Sequence, residues 1–118
     1  MKKLFLLAIA CCLSYTSILA DEAPVNVSLE YRTTLDQQTG RYFDYPNVII
    51  TALQDNVEIF YIDGNSGDCK PLPYVNPGLP KTIHRGQRLE YAFFASTCPR
   101  LIDLEIEAND VTYNFTFN

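Results

Sequence analysis

Tryptophan is absent from this 118-residue chain, and histidine occurs once. Without Trp, the Cys-Trp-Cys core of antibody domains is ruled out. The lone His84, in Lys81-Thr82-Ile83-His84-Arg85, would need partners to hold it in a Ser-His-Asp or metal site. No Gly-x-Ser-x-Gly motif is present, so the plainer reading is a surface turn histidine. Long apolar runs are also missing. Leu4 to Leu13 is too short and too interrupted for a transmembrane helix. No segment of ten or more residues has helical periodicity.

Residues 1–20 have the layout of a secretory signal peptide. Lys2 and Lys3 form the positive region, Leu4–Leu13 the apolar region, and Ser17-Ile18-Leu19-Ala20 a small-residue cleavage site. A rival reading makes Cys11 a lipoprotein acceptor. Removal of the leader leaves residues 21–118 as one small domain, secreted or periplasmic. With Lys2 and Lys3 gone, seven basic residues face 14 acidic ones, a net charge of −7. That balance argues against nucleic acid and anionic membrane as partners. It permits a basic protein partner, and it also simply keeps an exported domain soluble.

Only Cys69 and Cys98 remain after the leader, and export places them in a disulfide-permissive compartment. Closing a loop of this size stabilises a fold by roughly 3–4 kcal/mol in the chain-entropy model.

Short strands fill the rest of the chain. Ala23–Thr33 alternates Val25, Val27, Leu29 and Tyr31 with Asn26, Ser28, Glu30 and Arg32. Thr34–Gly40 is polar and reads as a loop, followed by an aromatic connection, Arg41-Tyr42-Phe43-Asp44-Tyr45-Pro46. Val48–Leu53 and Val57–Ile62 are the next strands, and the short Gln54–Asn56 turn between them favours a local hairpin. In the second of them Val57, Ile59 and Tyr61 face one way and Glu58, Phe60 and Ile62 the other. Lys70–Lys81 holds four of the seven prolines, with Leu72-Pro73-Tyr74-Val75 a candidate edge segment. Arg88–Ala95 is a strand. Leu101–Ala108 and Val111–Phe117, joined by Asn109-Asp110, form a β-hairpin. Six or seven strands in 98 residues predict a small all-β sandwich of fibronectin type III-like or immunoglobulin-like architecture with one disulfide. If the strands alternate in direction, those before Cys69 and Cys98 end at the same pole.

No residue pattern indicates catalysis, a metal or a cofactor. Asp63–Asp68 lacks the EF-hand ligand spacing, because Gly67 and Tyr74 stand where oxygen ligands belong. Asp103, Glu105 and Glu107 line one strand face; a solvated face fits better than a glycosidase pair, and a stripe for a basic partner is an alternative. Arg41, Tyr42, Phe43 and Tyr45 belong to the residue types enriched in binding hot spots, although two of the three rings are expected to tuck into the core. Arg41, Tyr42, Tyr45 and Tyr74 are the candidate binding residues.

The second half of the chain carries a family pattern. It runs from Asn56-Val57-Glu58-Ile59-Phe60-Tyr61-Ile62 to Gly67-Asp68-Cys69-Lys70 and a proline-containing loop. It continues through Arg85-Gly86-Gln87-Arg88-Leu89, Cys98 and Leu104-Glu105-Ile106 to Tyr113-Asn114-Phe115-Thr116-Phe117. Over residues 48–117 the chain resembles the interleukin receptor mimic protein A family of bacterial secreted proteins. The resemblance implies a fibronectin type III-like domain, a single disulfide, a strand-swapped homodimer, and binding of host cytokines as a virulence function. It matches no binding residue. The reading that results is a non-enzymatic exported protein-binding module. The alternative is a periplasmic or fimbrial assembly module that pairs through the edge strand Val111–Phe117.

Overall fold

The structure, a computed structural model, describes residues 23–73 and 75–117. Seven strands succeed one another: β1 (Val25–Asp36), β2 (Arg41–Ala52), β3 (Val57–Gly64), β4 (Lys81–Ile83), β5 (Arg88–Ala92), β6 (Asp103–Ala108) and β7 (Val111–Thr116). They form a three-stranded sheet in the order β1-β2-β5 and a four-stranded sheet in the order β4-β3-β6-β7. Every neighbouring pair is antiparallel. Strand alternation alone builds this sandwich. Each strand turns its apolar set inward, and the two inner faces close on each other. The first sheet supplies Val25, Val27, Val48, Ile50, Leu89, Tyr91 and Phe93. The second supplies Val57, Ile59, Ile62, Ile83, Leu104, Ile106 and Phe115, all buried. The architecture is the fibronectin type III-like all-β sandwich expected from the alternation.

The cysteines close one pole. Cys69 and Cys98 form a disulfide with Cα atoms 4.7 Å apart. Cys69 bridges back to Gly64 at the end of β3, and Cys98 follows β5, so the bond staples one sheet to the other. Strand β4 runs back between them, as the alternating directions require. A Cβ at Gly64 would lie 2.9 Å from the Cys69 Cβ and 3.0 Å from Leu101 Cδ1. Only glycine leaves room for the staple there. The Asn109-Asp110 turn joining β6 and β7 has φ values of 51° and 67°, the left-handed pair of a tight hairpin turn.

Four expectations are corrected. First, β1 continues to Asp36, and Arg41–Pro46 is the first half of β2 rather than a connection. The two strands pair through twelve rungs, from Val25↔Ala52 to Asp36↔Arg41. The outer rungs lie beyond the second sheet, so neither face is buried and no alternation marks them as strand. Second, Gln54–Asn56 does not make a hairpin. Along Asn47–Thr51 both edges of β2 are occupied, by β1 and β5, so the chain must cross to the other sheet. Leu53 N–H donates to Pro24 C=O at 2.8 Å, and Arg85 Nη1 donates to Leu53 C=O at 2.7 Å. Asn56, with φ 59°, then turns the chain into β3. Third, a bulge between Ile59 and Tyr61 breaks the alternation of β3. The extra residue, Phe60, sends Ile62 into the core and leaves Tyr61 exposed. Fourth, β5 ends at Ala92 rather than Ala95. Beyond Phe93 the chain turns toward Cys98, whose N–H donates to Phe94 C=O.

Candidate functional site

The six outermost rungs of the β1–β2 ladder, Tyr31↔Pro46 to Asp36↔Arg41, form a two-stranded arm. At a strand rise of ~3.4 Å per residue it extends about 20 Å past the last core rung. Its tip is the Gln37–Gly40 turn. Gly40, with φ 74°, donates its N–H to Asp36 C=O at 2.8 Å, and the Asp36 carboxylate accepts the Gln38 N–H at 3.0 Å. At the root, Tyr31 reaches under the arm, and its hydroxyl accepts the Leu101 N–H at 2.9 Å. Pro46 is buried at the same place.

Alternation gives the arm two faces. Tyr42 shares a face with Leu35, its partner across the ladder; they are 72% and 44% exposed. Arg41, Phe43 and Tyr45 stand on the opposite face. The structure therefore puts Arg41 and Tyr45 on one face of the arm and Tyr42 on the other. Tyr74 lies outside the described residues, as does the leader with Cys11. None of the three rings enters the core, contrary to expectation: Phe43 is 39% exposed and Tyr45 half-buried. Phe43 and Tyr45 have ring centroids 6.4 Å apart.

Next to Tyr45 lies a polar network that the sequence did not reveal. Arg32 Nε donates to Glu30 Oε2 at 2.6 Å, and Arg32 Nη2 lies 3.0 Å from Glu90 Oε1. Glu90 also accepts Asn47 Nδ2 at 3.1 Å. The hydrogen bond to Glu30 and the charge of Glu90 hold the Arg32 guanidinium above its ordinary pKa, against a smaller desolvation effect. Arg32, Asn47 and Glu90 line a groove of about 350 Å³ with Phe43, Leu72, Val75 and Asn76.

The far wall of that groove is a strap. Leu72 N–H donates to Ala92 C=O at 3.0 Å, and Phe94 N–H donates to Lys70 C=O at 2.8 Å. Pro71 and Phe93 form a bridge pair. Lys70–Leu72 thus covers the outer edge of β5; of the expected edge segment Leu72–Val75 only Leu72 pairs there, and the Val75 N–H turns back to Pro73 C=O at 2.9 Å.

The other candidate groups lie elsewhere. His84 is exposed in its turn, where its N–H donates to Gln87 Oε1 at 2.8 Å. Asn65, in the Asp63–Asp68 loop that lacks EF-hand spacing, is engaged structurally. Its Oδ1 accepts the N–H groups of Ile102 and Asp103 at 2.9 and 3.0 Å, and its Nδ2 donates to Arg100 C=O at 2.9 Å. Asp103, Glu105 and Glu107 line the outer face of β6, with Asp63 and Tyr61 across the ladder on β3. The charge of Asp63, with desolvation and Glu105 adding to it, pushes the Tyr61 phenol up. Among the described residues no three His, Cys, Asp or Glu side chains gather as metal ligands, and no helix is long and apolar enough to cross a membrane.

The chain matches no protein-family model, no curated protein and no solved structure.

Proposed function

We propose that this chain is a non-enzymatic, exported protein-binding module that engages its partner through the arm. The observation that carries the reading is the exposure of Tyr42, Phe43 and Leu35 on a continuously paired arm that projects from the packed sandwich. Aromatic and arginine side chains held on a stiff element are effective interface anchors, because little conformational entropy is lost on docking. Arg41, Phe43 and Tyr45 would form one contact face, with the groove beside them. The resemblance to interleukin receptor mimics proposes a host cytokine as the partner class and a release of the protein to the medium. It also proposes exchange of a strand between two copies.

The test is a pull-down with the immobilised, oxidised chain against a panel of purified cytokines, repeated with Arg41→Ala and Tyr45→Ala. Capture that drops at least about tenfold in a folded variant, the loss of one good anchor, supports the reading. Unchanged capture in both variants removes the arm from consideration.

A second reading is favoured by β7, which is the edge of its sheet with Val111 exposed at 49%. An edge of this kind accepts a strand from another subunit, as a periplasmic or fimbrial module would. A chaperone-bound or polymeric form in cell fractions would support that reading, and free protein in the culture medium would count against it.

A further inference from the structure

We propose that this chain carries a site for a sulfated polysaccharide, in the groove formed by β4, the start of β5 and the turn that joins them. The net charge of −5 averages over an uneven sequence. From Cys69 to Leu89, twenty-one residues hold no Asp or Glu, yet they hold Lys70, Lys81, Arg85, Arg88 and the single histidine. The fold gathers the last part of that stretch at one end of the sandwich. Strand β4 pairs with the start of β3, Ile59↔Lys81 and Val57↔Ile83, and β5 begins where Arg88 pairs with Thr51. The disulfide and the root of the arm lie at the other end, beside Gly64 and Pro46. The site therefore stands apart from the proposed function. Its groove, of about 560 Å³, is lined by Lys81, Thr82, Ile83, His84, Gln87 and Arg88. Among the described residues no carboxylate lines it, and of those six side chains only Ile83 is buried. A cleft lined by one sign of charge concentrates ligands of the other.

The chemistry of the lining selects a ligand that only accepts hydrogen bonds. Lys81 and Arg88 can only donate. Gln87 Oε1 is taken by the His84 N–H at 2.8 Å, which leaves the Gln87 amide nitrogen as a donor. The Thr82 hydroxyl adds another. A neutral sugar is poorly matched, because its hydroxyl groups also need acceptors; a sulfate ester is all acceptor. The donors are held in place before any ligand arrives. Gln87 N–H donates to His84 C=O at 2.8 Å, Gly86 N–H to Ala52 C=O at 2.9 Å, and Ala52 N–H to Gln87 C=O at 3.0 Å. The neighbouring carboxylates are engaged or lie outside the lining. Asp55 Oδ1 accepts the Arg85 N–H at 3.3 Å. Glu90 lies 3.0 Å from Arg32 Nη2 and 3.8 Å from Arg88 Nη2, and Glu58 stands across the ladder from Thr82. The donors do not converge on one point. At a strand rise of ~3.3 Å per residue, Lys81 and His84 stand about 10 Å apart along the chain. A ligand that engages them together carries several anionic groups on one polymer. Among the described residues the groove has no Phe or Tyr ring on which nucleic-acid bases would stack, which favours a polysaccharide.

Chromatography of the oxidised, exported chain on immobilised heparin tests it. At about 0.1 M salt the screening length is about 10 Å, so a bound sulfate feels the groove and not the distant acids. Retention is expected there in spite of the net negative charge, and elution as salt rises toward about 1 M. Immobilised dextran, which has no sulfate, is expected not to retain the protein. Lys81→Gln combined with Arg88→Gln is expected to weaken binding of a heparin octasaccharide by at least about tenfold, and each single substitution by a smaller, measurable amount. Both side chains are exposed, so the melting temperature is expected to hold. Arg100→Gln, which removes an exposed cation near Cys98, is expected to leave binding unchanged. No retention of the wild type overturns the proposal. So does retention on dextran as strong as on heparin, a loss in Arg100→Gln equal to that in the double variant, or unchanged binding in the double and single variants. Binding of a single-stranded DNA of matched charge as tight as that of the octasaccharide overturns the assignment to a polysaccharide.

Discussion

Asn76 and Ala92 are joined by two hydrogen bonds: Ala92 N–H donates to Asn76 Oδ1, and Asn76 Nδ2 donates to Ala92 C=O, each at 2.8 Å. The carboxamide imitates a strand residue. It completes the ladder on the outer edge of β5 where the prolines of the strap cannot donate. Asn76→Ala leaves a part-buried N–H without its acceptor. We expect a loss of about 1–3 kcal/mol and a looser groove wall. Chemical denaturation measures the first, and amide exchange at Ala92 measures the second. Exchange at Ala92 no faster than in the wild type would show that the strap holds without Asn76.

The staple between Cys69 and Cys98 closes a loop of 29 residues in sequence separation. The chain-entropy model assigns such a loop about 3–4 kcal/mol. Replacing both cysteines by Ala is expected to lower Tm and to loosen the strap that starts at Lys70. Both sulfurs are buried, so the loss acts on the pole where the two sheets meet. Equal melting temperatures for the oxidised protein and the double variant would show that the bond adds nothing.

Much of this fold was legible because burial alternates where two sheets face each other. Leu104, Ile106 and Phe115 announce their strands, and Asn109-Asp110 announces its turn. The arm was not legible for the same reason in reverse. Between Thr33 and Tyr45 no face is buried, so polar Thr34 and Asp36 read as loop and the aromatics read as connection. Its strand character comes from pairing, a property of two segments together. The crossover at Leu53–Asn56 depends on Arg85, some 30 residues away, capping Leu53. The bulge at Phe60 needs the β6 partner to define it. Of the candidate site, Arg41 and Tyr45 stand out in the sequence by residue type alone, and they share a face. Tyr42 stands out on the same grounds and lies on the other face, because no buried face in this stretch fixes the strand phase. The Arg32–Glu90 network spans two strands, and no local motif signals it.

Asn65 is expected to be the most sensitive polar residue at the disulfide pole. Its side chain serves three backbone groups, from Arg100, Ile102 and Asp103. Its φ of 49° adds a conformational demand that Asn meets better than Ala. Asn65→Ala removes both acceptor and donor and strains the turn, and we expect a loss of about 2–4 kcal/mol. Asn65→Asp keeps the acceptor for Ile102 and Asp103, so it is expected to fall between wild type and Asn65→Ala. Denaturation midpoints of the three proteins give the order. If Ala and Asp were equivalent, the Oδ1 bonds would not be what holds the turn.

Alkaline stability is expected to depend on Tyr91. Its ring lies in the core, edge-on to Phe93 with centroids 5.5 Å apart, and burial pushes the phenol pKa up. The unfolded chain titrates tyrosine near 10. With the folded value higher, the folded state holds the proton more tightly than the unfolded state does. The resulting stabilisation is complete below about pH 10 and declines as pH rises from there through the folded value. Tyr91→Phe has no proton to lose, so its stability is expected to fall less steeply above pH 10. Tyr61 does not supply the same effect by burial; the nearby Asp63 charge is the main cause of its shift. Raising salt screens that charge and is expected to bring the Tyr61 titration down while leaving the Tyr91 contribution in place. Denaturant midpoints from pH 8 to 11 for wild type and Tyr91→Phe are the measurement. Parallel curves would show that ionisation of this buried phenol does not govern the alkaline limit.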